Sequence, residues 1–222
     1  MLRALNTTER KSYIGAVKCL QSKQGISGSI FAGVRSRYDD FVAAHINETD
    51  YVHFVYEAAL REGCGWAGGQ PYWDWTLDAT PDTFLNSPVF DNVTGFGGNG
   101  VDIHVPGKLE GGCVKDGPFS NYTVSMGPNN STAYNPRCMT RDIASGFASA
   151  KLNSTMVEWT LSADNYLDFD VRAEGDVSVA GMTYHAGGHK GVGGDTGIIA
   201  DRPVQGPDTK FAYPFDFYGD VA

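Results

Sequence analysis

Residues 38–75 read YDDFVAAHINETDYVHFVYEAALREGCGWAGGQPYWDW, and this stretch concentrates the chemistry of the chain. It holds two of the five histidines (His45 and His53), one of the four cysteines (Cys64) and three of the four tryptophans (Trp66, Trp73 and Trp75). Tyr38 to Ala44 begins a helix or helical turn that carries Phe41 and Val42 inward. Val55 to Glu62 is strongly helical by propensity, with Gly63 or Gly65 as its natural stop. PYWDW then packs aromatic rings into an irregular segment, because Pro71 cannot continue a helix. A second histidine pair, His185 and His189, lies far downstream in MTYHAGGHKGVGG. Two imidazole pairs separated by so much chain suggest one metal centre built from two halves.

Outward from that stretch, Thr8 to Gln21 reads as the first helix. Thr8 serves as its cap, Glu9 sits in the first turn, and Tyr13, Ile14, Val17 and Leu20 recur at helical spacing. Gly25 to Gly33 is a small-residue connector. From Ala79 to Pro136 the chain is rich in proline, glycine and asparagine, with GFGGNG at 95–100. So long an irregular stretch is unusual inside a compact domain, and a cystine between Cys113 and Cys138 would keep it ordered. Asp142 to Leu161 has room for one or two short helices, and Tyr166 to Met182 leads into the second histidine pair. From Gly191 to Ala222 glycine and proline punctuate the chain. There is no repeat, no low-complexity run and no interdomain linker, so residues 1–222 read as a single domain.

A chain of 222 residues can bury a sizeable core without staples. Its net charge of −9 comes from scattered acids, which argues against a nucleic-acid or anionic-membrane partner. No run approaches the ~20 apolar residues of a membrane span. The first residues, MLRALNTTERKSYIGAV, contain no apolar core of signal-peptide length. The sequons point the other way: Asn6, Asn47, Asn92, Asn121, Asn129, Asn130 and Asn153 each begin an N-x-S/T triplet, which leans toward a secreted, extracellular glycoprotein. The four cysteines form no C-x-x-C pattern and allow three pairings. Cys19–Cys64 with Cys113–Cys138 is favoured, each linking neighbouring segments. The alternative is four buried free thiols in a cytosolic protein.

His185 and His189 are four residues apart, a spacing that puts both imidazoles on one face of a helix. Gly187 and Gly188 between them cost a helix interior ~1 kcal/mol each, yet they remove bulk and leave room for a ligand or a close backbone. Taken alone, H-x-x-x-H fits two exposed or capping histidines as well as two ligands. His45 and His53, eight apart, span a helix end and the following loop, and alone they read as buried, hydrogen-bonded side chains. Four neutral imidazoles with no cysteine pair suit copper, zinc or iron. His104, in VDIHVPG, reads as a surface residue.

Several stretches, in this order, carry a resemblance: YDDFVAAHINETDYVHF, YEAALREGCGWAGGQPYWDW, FGGNG, GGCVKDGPFSNYTV, NPRCMTRD, HAGGHKGVGG and GPDTKFAYPFDFYGD. Together they resemble the fungal tyrosinase/catechol oxidase family of type-3 dicopper proteins, over nearly the whole chain. The resemblance implies a mainly α fold: a helical bundle core with long irregular, disulfide-tied loops and little β structure. It also implies two copper ions, each bound by three histidines, that use dioxygen to oxidise small phenolic substrates, o-diphenols to o-quinones. By position, His45 and His53 match the first two ligands of copper A, and His185 and His189 the first two of copper B. Ala186 takes the place where strong monophenol hydroxylases tend to carry Asn, which favours diphenol oxidation. Lys190 follows the second copper-B histidine as a substrate-site neighbour. No cysteine lies two residues before either copper-A histidine, so the family's Cys–His thioether has no counterpart there. Trp73, Asp74 and Trp75 are assigned to packing and hydrogen bonding, and Arg61 and Asp142 to buried ion pairs.

The departures from the family pattern fall at two joints. After the second copper-A histidine the family continues through F-x-P-W-H-R-Y-F, which carries the third ligand; here His53-Phe54-Val55-Tyr56-Glu57 runs straight into the next helix. After H-x-x-x-H the family has DP-x-F-x-x-HHA-x-x-D; here GVGGDTG runs into IIADRPVQGPDTKFAYPFDF. The flanks are intact on both sides, so two internal excisions, near 54–56 and 195–206, are the simple reading. Skipped exons or a mispredicted gene would produce them. Each copper then keeps two of three imidazoles, and the expectation is an impaired oxidase. The alternative is a non-catalytic secreted glycoprotein with at most weak metal binding.

Overall fold

Asn6 opens the first helix, α1 (Thr7–Ser22), in the computed structural model, which describes residues 2–47, 52–102, 111–127, 131–174 and 183–193. The Asn6 side-chain oxygen accepts the N–H groups of Thr8 and Glu9, while the Glu9 carboxylate accepts the Asn6 N–H at 2.7 Å. This reciprocal capping box replaces the Thr8 cap expected from the sequence, because Asn6 lies where its oxygen reaches two otherwise unpaired amides. Tyr13, Ile14, Val17 and Leu20 are buried, as their spacing predicts.

Helix α2 (Arg37–Asn47) buries Phe41 and Val42 and packs on α1. Helix α3 (Val52–Ala58) continues into a π-helical turn over Ala59–Gly63, three residues earlier than predicted at its start. The run stops at Gly65, whose φ of 73° is easy only for glycine. Leu60 is fully buried beneath this turn, and Cys64 bonds to Cys19 of α1 with Cα atoms 5.8 Å apart. The favoured cysteine pairing therefore holds, and so does its second member, Cys113–Cys138, at 5.6 Å.

The aromatic segment that follows is structural. Trp73 is buried against Phe84 and Phe90, with ring centroids 5.1 and 5.5 Å away, and its Nε1 donates to Asp78 at 2.8 Å. Asp78 is fully buried; it also accepts from Ser87 Oγ at 2.7 Å and pairs with Arg3, tying the N-terminus to this segment. A 3-10 turn (Trp75–Asp78), helix α4 (Pro81–Leu85) capped by Thr80, and a second 3-10 turn (Pro88–Phe90) complete it.

The glycine-rich middle is ordered by two antiparallel strand pairs and one buried cation. Strand β1 (Gly100–Asp102) pairs with β2 (Gly111–Val114), and β3 (Thr123–Val124) with β4 (Arg137–Cys138). The Cys113–Cys138 bond joins β2 to β4. Arg141 has no solvent exposure and donates to the carbonyls of Phe96, Gly97 and Gly98, which holds the 95–100 loop against the core.

Four helices follow: α5 (Ser145–Lys151), α6 (Ser154–Leu161), α7 (Tyr166–Glu174) and α8 (Tyr184–Gly193). Helix α5 packs on α8, α6 on α7, and α7 on α8. The architecture is mainly α, with short strands and disulfide-tied loops, as the sequence implies. One assignment needs correction. Arg61 is more than half exposed and, among the described residues, pairs with Glu57 one turn back, at 3.4 Å. Asp142 is half-buried and follows the fully buried Arg141.

Candidate metal centre

The first half of the centre is set by how α2 meets α3. The Tyr56 ring packs edge-on against Tyr38 at 6.2 Å and Phe41 at 5.3 Å. The start of α2 thus lies beside the end of α3. Positions 38, 41 and 45 recur along one face of α2, while 53 lies three residues before 56 on α3. His45 is buried, at 5% exposure. The side chain of His53 lies outside the described ones.

Two adjacent carboxylates pin the start of α2. Asp39 accepts from the backbone N–H groups of Arg35 (3.0 Å) and Ser36 (2.8 Å), from Ser125 Oγ (3.2 Å) and from the Tyr122 hydroxyl (3.3 Å). Asp40 accepts from Arg37, from the Ser27 hydroxyl and from the N–H groups of Ile26 and Ser27. Burial alone would raise the Asp40 pKa, but these donors outweigh it and hold the carboxyl below its usual value. Behind the pair, burial pushes the Tyr56 phenol well above its ordinary range, and neighbouring Tyr13 and Tyr38 add to the effect. Burial likewise raises Tyr13, only partly offset by its hydrogen bonds with Gln70 and Tyr56. These phenols stay neutral and serve as packing, not as bases.

The second half rests on α8. A Cβ on Gly187 would meet the Cβ of Lys151 at 2.4 Å, and one on Gly191 would meet the Cβ of Ala148 at 2.7 Å. The glycines thus permit close contact between α8 and α5, the close-backbone role that the sequence offered as one of two options. Position 185 lies about 160° round the helix from 187, so His185 is on the side of α8 away from the Gly187 contact with α5. The start of α8 is held by Tyr184, stacked on Trp75 at 5.3 Å. Its end is held by Asp142 N–H to Val192 O (3.0 Å) and Ala144 N–H to Gly191 O (2.9 Å). His185 is half-buried. The side chains of Ala186, His189 and Lys190 lie outside the described ones, and so do His104 and the 195–206 joint.

His45 lies near the end of α2, position 53 near the start of α3, and positions 185 and 189 within α8; among the described residues no three His, Cys, Asp or Glu side chains converge as a metal site. All four cysteines are consumed in disulfides, which leaves imidazole as the candidate donor. Five histidines fall one short of the six that two three-histidine coppers take, so the chain does not fit a complete dicopper set. Trp75 Nε1 and Thr183 Oγ1, on either side of the Tyr184 stack, are buried and make no hydrogen bond among the described residues. Arg141, Asp39 and Asp78, the buried charges that brace this framework, were not singled out by sequence reasoning. For Arg141 a signal existed: it is a lone cation between Met139 and Ile143.

A mainly helical, disulfide-tied domain presenting two distant histidine pairs on short helices defines a class, and the comparisons name it. Residues 35–204 match the family described as the common central domain of tyrosinase. The chain is 32% identical over 235 positions to Tyrosinase P of Aspergillus terreus, covering 86% of this chain and 65% of that protein. It is 34% identical over 242 positions to N-acetyl-6-hydroxytryptophan oxidase of Emericella nidulans, covering 86% and 64%. Among solved structures it is similar to a polyphenol oxidase variant from Thermothelomyces thermophila, with a TM-score of 0.75 and 34% identity, covering 87% of this chain and 61% of that one. The chain belongs to the tyrosinase family, a family of dicopper oxidases. It spans just under two thirds of the length of these relatives, at 65% and 64%.

Proposed function

We propose that this chain is a tyrosinase-family copper protein whose parent chemistry is o-diphenol oxidation by dioxygen, and that this copy is impaired. Copper A would keep His45 and His53, copper B His185 and His189, each one imidazole short. The observation that carries the reading is the histidine count within an otherwise intact family framework. The alignments support internal loss: 235 and 242 aligned positions exceed the 222 residues of the chain, although only 86% of it takes part. The relatives therefore have residues inside the matched span for which this chain has none. Trp75 Nε1 and Thr183 Oγ1, buried without a hydrogen bond among the described residues, support the same reading.

The test is copper stoichiometry and oxygen uptake. Purified chain, saturated with copper and freed of excess, is expected to retain fewer than two ions and to oxidise catechol weakly or not at all. Two tightly held coppers with rapid oxygen uptake would sink the reading. A second reading, a non-catalytic secreted glycoprotein, is favoured by two cystines and seven sequons. Transcript sequencing separates the cases: recovery of the P-W-H-R and HHA segments would restore a full oxidase. Among the described residues no helix is long and apolar enough to cross a membrane.

A further inference from the structure

Four of the seven sequons lie among residues whose side chains the structure describes, and their surroundings differ. The Asn6 oxygen caps α1 through Thr8 and Glu9. Asn153 is half-buried and fully engaged: its oxygen accepts Met156 N–H at 3.0 Å, and its amide nitrogen donates to Ser149 O and Ala150 O, each at 3.2 Å. Asn92 is exposed, but the hydroxyl of its sequon partner Thr94 donates to Asp91 at 2.9 Å. Asn121 and its sequon partner Thr123 are both exposed, as Asn6 and Thr8 are, but unlike Asn6 neither side chain makes a hydrogen bond among the described residues.

The backbone presents Asn121 on a fixed turn. Tyr122 N–H donates to Phe119 O at 2.9 Å. The residues on either side are anchored inward: Phe119 is buried and stacked on Phe96 at 5.7 Å, while the Tyr122 ring packs on Tyr38 and its hydroxyl reaches Asp39. Asn121 opens onto a cavity of about 490 Å³ lined by Lys18, Gln21, Arg35, Thr123 and Tyr134. That volume lies in the range of about 300–1,000 Å³ typical of small-ligand sites. Tyr134 is half exposed, with the Arg35 guanidinium over its ring at 3.9 Å. A polar cavity with an aromatic wall suits a sugar, which offers hydroxyl and amide groups at its edge and C–H groups on its face.

We infer that Asn121 is an N-glycosylation site whose first sugars lie in this cavity, and that Asn153 is left unmodified. The amide nitrogen of Asn121 would displace the lipid pyrophosphate, which leaves intact, from C1 of a lipid-pyrophosphate-linked oligosaccharide whose first sugar is N-acetylglucosamine. The C1–O bond breaks, the N–C1 bond forms, and the displaced amide proton goes to a base of the transferring enzyme. This inference rests on the reading that the chain passes through a secretory compartment.

The test expresses the full chain behind a secretion leader, so that entry into that compartment is imposed. Site occupancy is then read by glycosidase release in heavy-oxygen water and peptide mass mapping. Asn121 is expected to be modified and Asn153 not; Asn121→Gln should remove one glycan's mass. Trimming to a single retained sugar should leave the melting temperature of the wild type above that of Asn121→Gln, and Tyr134→Ala should abolish the difference. An unmodified Asn121 in the exported protein overturns the site, and equal melting temperatures overturn the cavity contact. Whether the native chain is itself secreted is read separately, by its compartment and by titrating its thiols, so that failure of that reading is distinguishable.

Discussion

Arg141 is the residue on which the middle of the chain depends. Its guanidinium satisfies three loop carbonyls in a region without solvent, and a buried carbonyl left unpaired costs about 1–3 kcal/mol. Arg141→Met is therefore expected to lower the unfolding free energy by about 3 kcal/mol or more. Arg61→Met, which removes only an exposed pair one helical turn apart, should change it by about 0.5 kcal/mol or less. Urea denaturation of the two variants checks both values, and a reversed order would restore Arg61 as the buried charge. The contrast shows what a sequence reveals at this scale. Arg61 has a carboxylate at helical spacing, a signal of pairing visible in the letters, but that signal is equally strong at the surface. The partners of Arg141 are backbone carbonyls some 40 positions away, and backbone carbonyls leave no mark in a sequence.

At the scale of elements, apolar spacing locates helices well and their ends less well. Tyr13, Ile14, Val17 and Leu20 predict α1 because burial repeats every turn, while the cap moves to Asn6 because capping depends on side-chain reach. Helix α8 inverts the local rule: Gly187 and Gly191 are poor helix formers, yet they lie where α5 comes close. Tertiary contact outweighs propensity there. Two substitutions separate these effects. Gly15 lies within α1 with nothing near its would-be Cβ, so Gly15→Ala should stabilise the protein by about 0.5–1 kcal/mol. Gly191→Ala gains the same propensity but forces a methyl against Ala148, and overpacking of this kind costs about 1–3 kcal/mol. Thermal melts should move in opposite directions, and a stabilising Gly191→Ala would show that α5 and α8 are not in close contact.

For the whole molecule, the two histidine halves sit on separate helix pairs, α2 with α3 and α5 with α8, and the chain between them is largely loop. Each half was legible as a pair of imidazoles. Their relation was not, because it depends on how distant elements dock, and a pattern within either stretch carries no information about the other. The segments on the near side of that gap and within it are braced covalently. Cys19–Cys64 closes 45 residues and ties α1 to the end of the α3 run, while Cys113–Cys138 closes 25 residues and joins the strand pairs. The chain-entropy relation assigns these loops about 4 and about 3.5 kcal/mol. Their sum is comparable to the whole stability of an ordinary domain, about 5–15 kcal/mol. Reduction of both bonds is therefore expected to abolish cooperative thermal unfolding at neutral pH, followed by circular dichroism. Cys113→Ser with Cys138→Ser, which keeps the α1 bond, should leave a cooperative transition at lower temperature. A fully reduced chain that still melts cooperatively near the oxidised midpoint would mean that packing of the helices alone holds the two halves in one body.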